Sequence, residues 1–205
     1  MVAKVISGRE VAETILTTDL KNKVLELNKK NIKPKLIVML VGDMKASASY
    51  VAQKEKFAVK AGIESDIMRF EATVTEEEIL TQIDNINNDK GIHGVIVQLP
   101  LPDHISVTKV LNKIDPSKDV DGFTPTNVGK LFLGEDTLVS CTPKGIMQML
   151  ASTGTNLSGK NVTVVGRSNI VGKPVAILCL QQHATVTMCH SRTKDLNSKL
   201  ADADV

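Results

Sequence analysis

Between Pro34 and Gly42 the chain reads PKLIVMLVG, and this run restricts the fold more than any other feature. Leu36 to Val41 is apolar without a break, so the segment has no wet face to alternate with a dry one. It reads as a strand buried on both sides, the kind found in a parallel sheet with helices above and below. The neighbouring segments agree. Glu10–Lys30 places Val11, Ile15, Leu16, Leu20, Val24 and Leu27 at helical spacing. Ser47–Ala61 predicts a helix with Gly62 as its stop, and Ile63–Phe70 predicts a second strand. Thr75 to Glu78 is a capping box that opens a helix running to about Asn87. GVIVQLPLP predicts a third strand ended by prolines. The alternation specifies a three-layer parallel α/β domain, whose ligands gather beyond the carboxyl ends of the strands.

A second unit opens after residues 117–140, a stretch without clear periodicity that reads as a linker. From Cys141 the order is helix TPKGIMQML, strand NVTVV, turn GRSNIVGKP, helix VAILCLQQ, strand ATVTMC and turn HSRTKDL. The expected domains are therefore 1–140 and a Rossmann-like 141–205. A helix N-terminus fed by a glycine turn suits phosphate. The P-loop pattern fails, because Gly166 to Gly172 is one residue too long and Pro174 occupies the hydroxyl position. A degenerate dinucleotide fingerprint survives, Gly166-x-Ser168-x-x-Val171, although many such turns bind nothing. The next strand ends in His190-Ser191-Arg192-Thr193-Lys194, with no carboxylate before Asp195. An NAD site wants an acid there. Together with Arg167 the turn suits a 2′-phosphate, which points to NADP; the alternative is a solvated basic turn.

Composition narrows the partners. A net charge of +2 without a basic block gives no reason to invoke nucleic acid or an anionic membrane. The apolar runs are too short to span a bilayer. Lys4, Arg9 and Glu10 interrupt what would be a signal peptide's apolar stretch, so the expectation is a cytoplasmic protein. Three cysteines without a C-x-x-C pair and four scattered histidines suggest neither a disulfide framework nor a metal site.

The stretch SASYVAQKEKF holds the single tyrosine of the chain. Ser47, Tyr50 and Lys54 are three and four residues apart, so they share a helix face near the sheet rim. That face is either a solvated Tyr–Lys pair or a working surface. The Y-x-x-x-K of short-chain dehydrogenases is excluded by order, since there the glycine loop comes first. The third strand delivers Gln98 to the same rim, and SKDVDGF adds a polar turn with Asp119 and Asp121.

Taken together, SASYVAQK, GVIVQLPLP, PSKDVDGF, CTPKGI, VVGRSNIVGKP and ATVTMCHSRTK resemble, in order and spacing, the bifunctional methylenetetrahydrofolate dehydrogenase/methenyltetrahydrofolate cyclohydrolase family, in its bacterial form. The resemblance covers nearly the whole chain. It implies NADP-dependent oxidation of 5,10-methylenetetrahydrofolate, then hydrolysis of the methenyl cation to 10-formyltetrahydrofolate. By the same likeness the catalytic residues are Lys54, Gln98 and Tyr50. The folate-binding set is Ser47, Tyr50, Lys54, Val97, Gln98, Leu99 and Asp121, and the cofactor set is Gly166, Arg167, Ser168 and Ser191. A homodimer is implied too. Thr124 and Thr126 depart from the family's pattern beside Asp121. The chain stops at ADADV, where a third strand of the cofactor unit is expected to begin, so that unit is expected to be incomplete. A non-catalytic folate- or nucleotide-binding module is the alternative from a different functional class.

Overall fold

The computed structural model describes residues 5–42 and 45–205, with side chains for all of these except 45–49. The elements in order are α1 (Gly8–Ile15), a π-helical turn (Leu16–Leu20), α2 (Lys21–Lys29), β1 (Lys35–Val41), α3 (Lys45–Ala61), β2 (Glu64–Phe70), α4 (Glu76–Asn88), β3 (Gly94–Val97), α5 (Val107–Lys113), α6 (Pro125–Leu133), α7 (Cys141–Ser152), β4 (Asn161–Val165), α8 (Gly172–Gln181), β5 (Thr185–Cys189) and α9 (Leu196–Ala201). They form two compact units, Ala12–Thr124 and Met1–Val11 with Pro125–Val205.

In the first unit β1 lies centrally in a parallel sheet of order β2-β1-β3. Its side chains alternate between two dry faces, which is why the run contains no polar residue. Ile37, Met39 and Val41 pack with Ile79, Ile83 and Ile86 of α4 and Val110 of α5. Val38 and Leu40 pack on the other side against Val51 of α3 and Ile96. Truncating a residue such as Ile83, which has no exposed surface, costs about 2–5 kcal/mol. The α4 capping box forms as the sequence specifies, with Thr75 and Glu78 each bonding the other's backbone N–H. Beyond β3 the chain returns alongside it: Val95 N donates to Lys118 O at 2.8 Å, and Val95 and Asp119 form a parallel bridge.

In the second unit β4 and β5 pair in parallel from Asn161↔Thr185 to Val165↔Cys189. Leu157, Val162, Val175, Cys179 and Ala184 form its core, with Ile146, Met147 and Leu150 of α7 packed on it. Asn161 O accepts from Val205 N while Thr163 N donates to Val205 O, so the last residues pair along β4 in the manner of a parallel strand.

Residues 117–140 differ from the linker expected of them. They contain α6, which begins on Pro125, buries Asn127 and Leu131, and ends at Gly134 with φ +78. Gln181 Nε2 of α8 donates to Leu131 O at 2.6 Å. Leu131 recurs three residues after Val128, but one helix of nine residues between Pro and Gly leaves too short a window for the period to stand out.

Candidate functional site

The carboxyl ends of β1 and β3 and the segment after Lys118 define one rim of the first unit. Gln98 follows β3 directly, and its N–H donates to Met39 O at 2.9 Å, which extends the ladder by one bond. Its side chain is oriented from both ends. Nε2 donates to Leu99 O at 2.8 Å, leaving Oε1 to accept from Lys54 Nζ at 3.5 Å. The Leu99 carbonyl thus decides which way the amide faces. Lys54 is half-buried on α3, and its ammonium also stands 5.7 Å from the centroid of the Tyr50 ring. Tyr50 is 62% exposed, so it presents an open aromatic face.

Asp121 joins this group electrostatically. Burial pushes its carboxyl above the usual carboxylate range; the Lys54 cation opposes that rise, and the Asp119 charge adds to it. Val97 is buried in the core beneath the rim and Leu99 is half-buried. Tyr50, Gln98 and Asp121 therefore each lie within contact or electrostatic reach of Lys54. Ser47 lies outside the described side chains.

The rim combines a flat ring, a cation, an amide and a reluctant carboxylate. A planar heterocycle with N–H donors can stack on the ring and donate to the acid. An amine in its neutral form can take a proton from water, and an amide can hold that amine in place. Among the described residues no group of three or more His, Cys, Asp or Glu side chains is arranged to hold a metal.

The glycine turn belongs to the second unit. Gly166 follows β4 with φ +141, a backbone setting that disfavours side chains. Gly166 N donates to Cys189 O at 2.8 Å, tying the turn to the end of β5. A Cβ on Gly172 would lie 2.3 Å from Gly166 O, so only glycine lets the start of α8 approach the turn. Ser168 Oγ accepts from Val171 N at 3.1 Å and from Gly172 N at 3.3 Å, which organises the loop from within.

Ser191 follows β5 in a turn closed by Thr193 N to His190 O and by His190 N to Thr193 Oγ1, and both Arg167 and Ser191 are exposed. Asp195, the first acid after β5, caps α9 by accepting from Ser198 N. No carboxylate stands between the end of β5 and Asp195, so the residues present fit a phosphorylated dinucleotide.

Sequence reasoning named Asp119 only as a polar turn residue, yet it is 1% exposed and its Oδ2 accepts from Thr124 N at 2.8 Å. Ser140, buried at the N-cap of α7, donates to Ile170 O of the glycine turn at 2.9 Å and had no local signal at all.

Comparison with known proteins matches two family profiles to the chain. The profile of the tetrahydrofolate dehydrogenase/cyclohydrolase catalytic domain matches residues 6–121, and that of the corresponding NAD(P)-binding domain matches 140–205. The bifunctional protein FolD of Exiguobacterium sp. is 53% identical over 203 residues, covering 99% of this chain and 72% of that protein. FolD of Staphylococcus aureus is 50% identical over 205 residues, covering 100% and 71%. Among solved structures, bifunctional FolD from Campylobacter jejuni superposes with a TM-score of 0.95 at 42% identity, covering 98% of this chain and 71% of that one. The Trypanosoma brucei enzyme complexed with NADP cofactor and inhibitor gives 0.92 at 36% identity, covering 98% and 70%.

Proposed function

Since the chain belongs to the tetrahydrofolate dehydrogenase/cyclohydrolase family, we propose that its folate chemistry is carried by Lys54, Gln98, Tyr50 and Asp121 and its cofactor contacts by Gly166, Arg167, Ser168 and Ser191. The chain is a methylenetetrahydrofolate dehydrogenase and methenyltetrahydrofolate cyclohydrolase that uses NADP. When bound, NADP⁺ supplies the acceptor for the hydride that leaves the methylene carbon of the folate.

The reading rests on one observation, the Lys54 amine bonded to an amide that Leu99 O already orients. Tyr50 stacks on the flat part of the folate, and Asp121 as a carboxylate accepts its N–H groups. Leu99, half-buried beside Gln98, borders the folate, with Val97 in the core beneath it. For oxidation these residues mainly align the donor carbon. For hydrolysis, water adds to the cationic methenyl carbon, one carbon–nitrogen bond of the bridge opens, and one proton leaves. Lys54 Nζ receives that proton in its neutral form, while Gln98 Oε1 keeps the amine beside the water.

Arg167 and Ser191 bind the 2′-phosphate, and Ser168 holds the loop that meets the pyrophosphate. Residues 1–140 carry the folate site, which serves both activities, and residues 141–205 form the part that binds NADP. A cytoplasmic homodimer completes the reading; among the described residues no helix is long and apolar enough to cross a membrane.

The deciding experiment is Lys54→Met, assayed for both activities. Methenyl hydrolysis is expected to fall by about 10²–10⁴-fold, the usual worth of a positioned acid–base group, with a smaller loss of oxidation. Hydrolysis at the unsubstituted rate would remove Lys54 from the chemistry.

A further inference from the structure

The loop carrying Asp121 is held by more devices than an ordinary turn. Lys118 Nζ donates to Ile86 O at 2.7 Å, Asn87 O at 2.9 Å and Asp89 O at 2.7 Å, so it closes the carboxyl end of α4 and anchors the loop's start. Gly94 admits Val120 so closely that a Cβ there would lie 2.6 Å from Val120 Cγ1. Asp119 then grips both sides of the turn. Its backbone O accepts from Gly122 N at 3.1 Å, and its side-chain Oδ2 accepts from Thr124 N at 2.8 Å. Gly122 adopts φ +65, which lets the chain fold back over so short a distance.

We propose that Asp119 is a positioning residue for folate binding: by bonding the N–H groups of Gly122 and Thr124 it fixes the direction in which Asp121 meets the pterin. The inference rests on the reading of Asp121 given above. A buried carboxylate is a costly way to close a turn, since a hydroxyl or amide could accept the same N–H. Its charge therefore has a second consequence here. It lies near enough to Asp121 to oppose ionisation there, while Lys54 on α3 favours it. The pterin's N–H groups thus meet a carboxylate whose readiness to take a proton is set by one cation and one anion.

The experiment compares Asp119→Ala, Asp119→Asn and Asp121→Asn in the full chain. The Kd of tetrahydrofolate is measured against pH, and the KM and kcat of methenyl hydrolysis at one pH. Asp119→Ala is expected to raise Kd and KM on the order of tenfold, as for a lost buried hydrogen bond, with kcat changed by less than about twofold. Asp119→Asn, which retains an oxygen for Thr124 N, is expected to recover most of that loss. Because it lacks the charge, its acid-side loss of binding should begin at lower pH than in the unsubstituted protein. The ligand's own titration is common to all the proteins and cancels in the comparison.

An unchanged Kd in Asp119→Ala, or an unmoved acid limb in Asp119→Asn, overturns the proposal. If Asp121→Asn also leaves Kd unchanged, the assignment of Asp121 itself falls, and the positioning role falls with it. If Asp121→Asn weakens binding while Asp119→Ala does not, only the positioning role is lost. Should both Asp119 variants fold poorly, amide exchange in the unsubstituted protein decides the matter. Protection of Thr124 and Gly122 N–H comparable to β3 supports the clamp, and exchange at open-loop rates overturns it.

Discussion

Lys54 Nζ reaches Gln98 Oε1 across 44 residues of sequence, at 3.5 Å, and Gln98 can present that oxygen only because its Nε2 is committed to Leu99 O. The bond is long for a direct contact and joins a half-buried amine to the end of a core strand. It holds the amine beside the point where the chain leaves β3.

Replacing Gln98 tests that hold. Gln98→Ala should lower methenyl hydrolysis by roughly 10-fold or more, through a misplaced amine, and leave the NADP⁺ affinity unchanged. Gln98→Glu should move the pH optimum of hydrolysis upward, because a carboxylate at that position favours the charged amine. An optimum that stays put would separate Gln98 from Lys54.

Asp121 links function to stability. Burial makes it hold its proton to higher pH in the folded chain than unfolded. The native state therefore binds more protons in the interval above the ordinary carboxylate range, and stability falls as pH rises through that interval. Beyond it the charged, buried group is a net cost. Asp121→Asn should accordingly raise the Tm at neutral pH while weakening reduced-folate binding, with the Tm gain vanishing at acid pH. Thermal melts at two pH values check the sign.

Gly172→Ala addresses the second unit. Its new methyl group would meet Gly166 O at 2.3 Å, a backbone atom with no side chain to swing aside. The loop must shift, so NADP⁺ binding should be lost or fall at least about tenfold, with a stability loss on the order of 1–3 kcal/mol. Equilibrium dialysis with NADP⁺ and a thermal melt measure both. Intact binding would mean the loop tolerates a wider turn than its geometry indicates.

Cofactor choice is tested at Arg167 and Ser191. Removing either side chain should reduce the preference for NADP⁺ over NAD⁺, by about 10- to 100-fold for Arg167→Ala if its hydrogen bond to the phosphate is charge-assisted. The loss should fall on NADP⁺ with NAD⁺ little affected. Steady-state kinetics with both cofactors give the ratio, and equal losses for both would assign Arg167 a general role.

Much of the architecture was legible because it is written in local period. The unbroken LIVMLV run, the Thr75–Glu78 capping box and the Gly166 turn each specify their conformation within a few residues. Helix α6 was missed because Pro125 and Gly134 frame a segment too short for its apolar spacing to emerge. The proposed catalytic residues come from resemblance of motifs; spacing on α3 alone leaves Tyr50 and Lys54 as either a solvated pair or a working face.

What the sequence determined by itself was therefore the set of layers: which runs are dry on both faces, where helices start, and where only glycine fits. Tertiary structure alone decided that Gln98, arriving on β3, meets Lys54 from α3, and that Asp119 is buried while Asp121 stays at the rim. The reason is register. Two carboxylates only two residues apart acquire opposite fates when the chain at Lys118 pairs with Val95, and that pairing depends on contacts too far apart in sequence for any local pattern to encode.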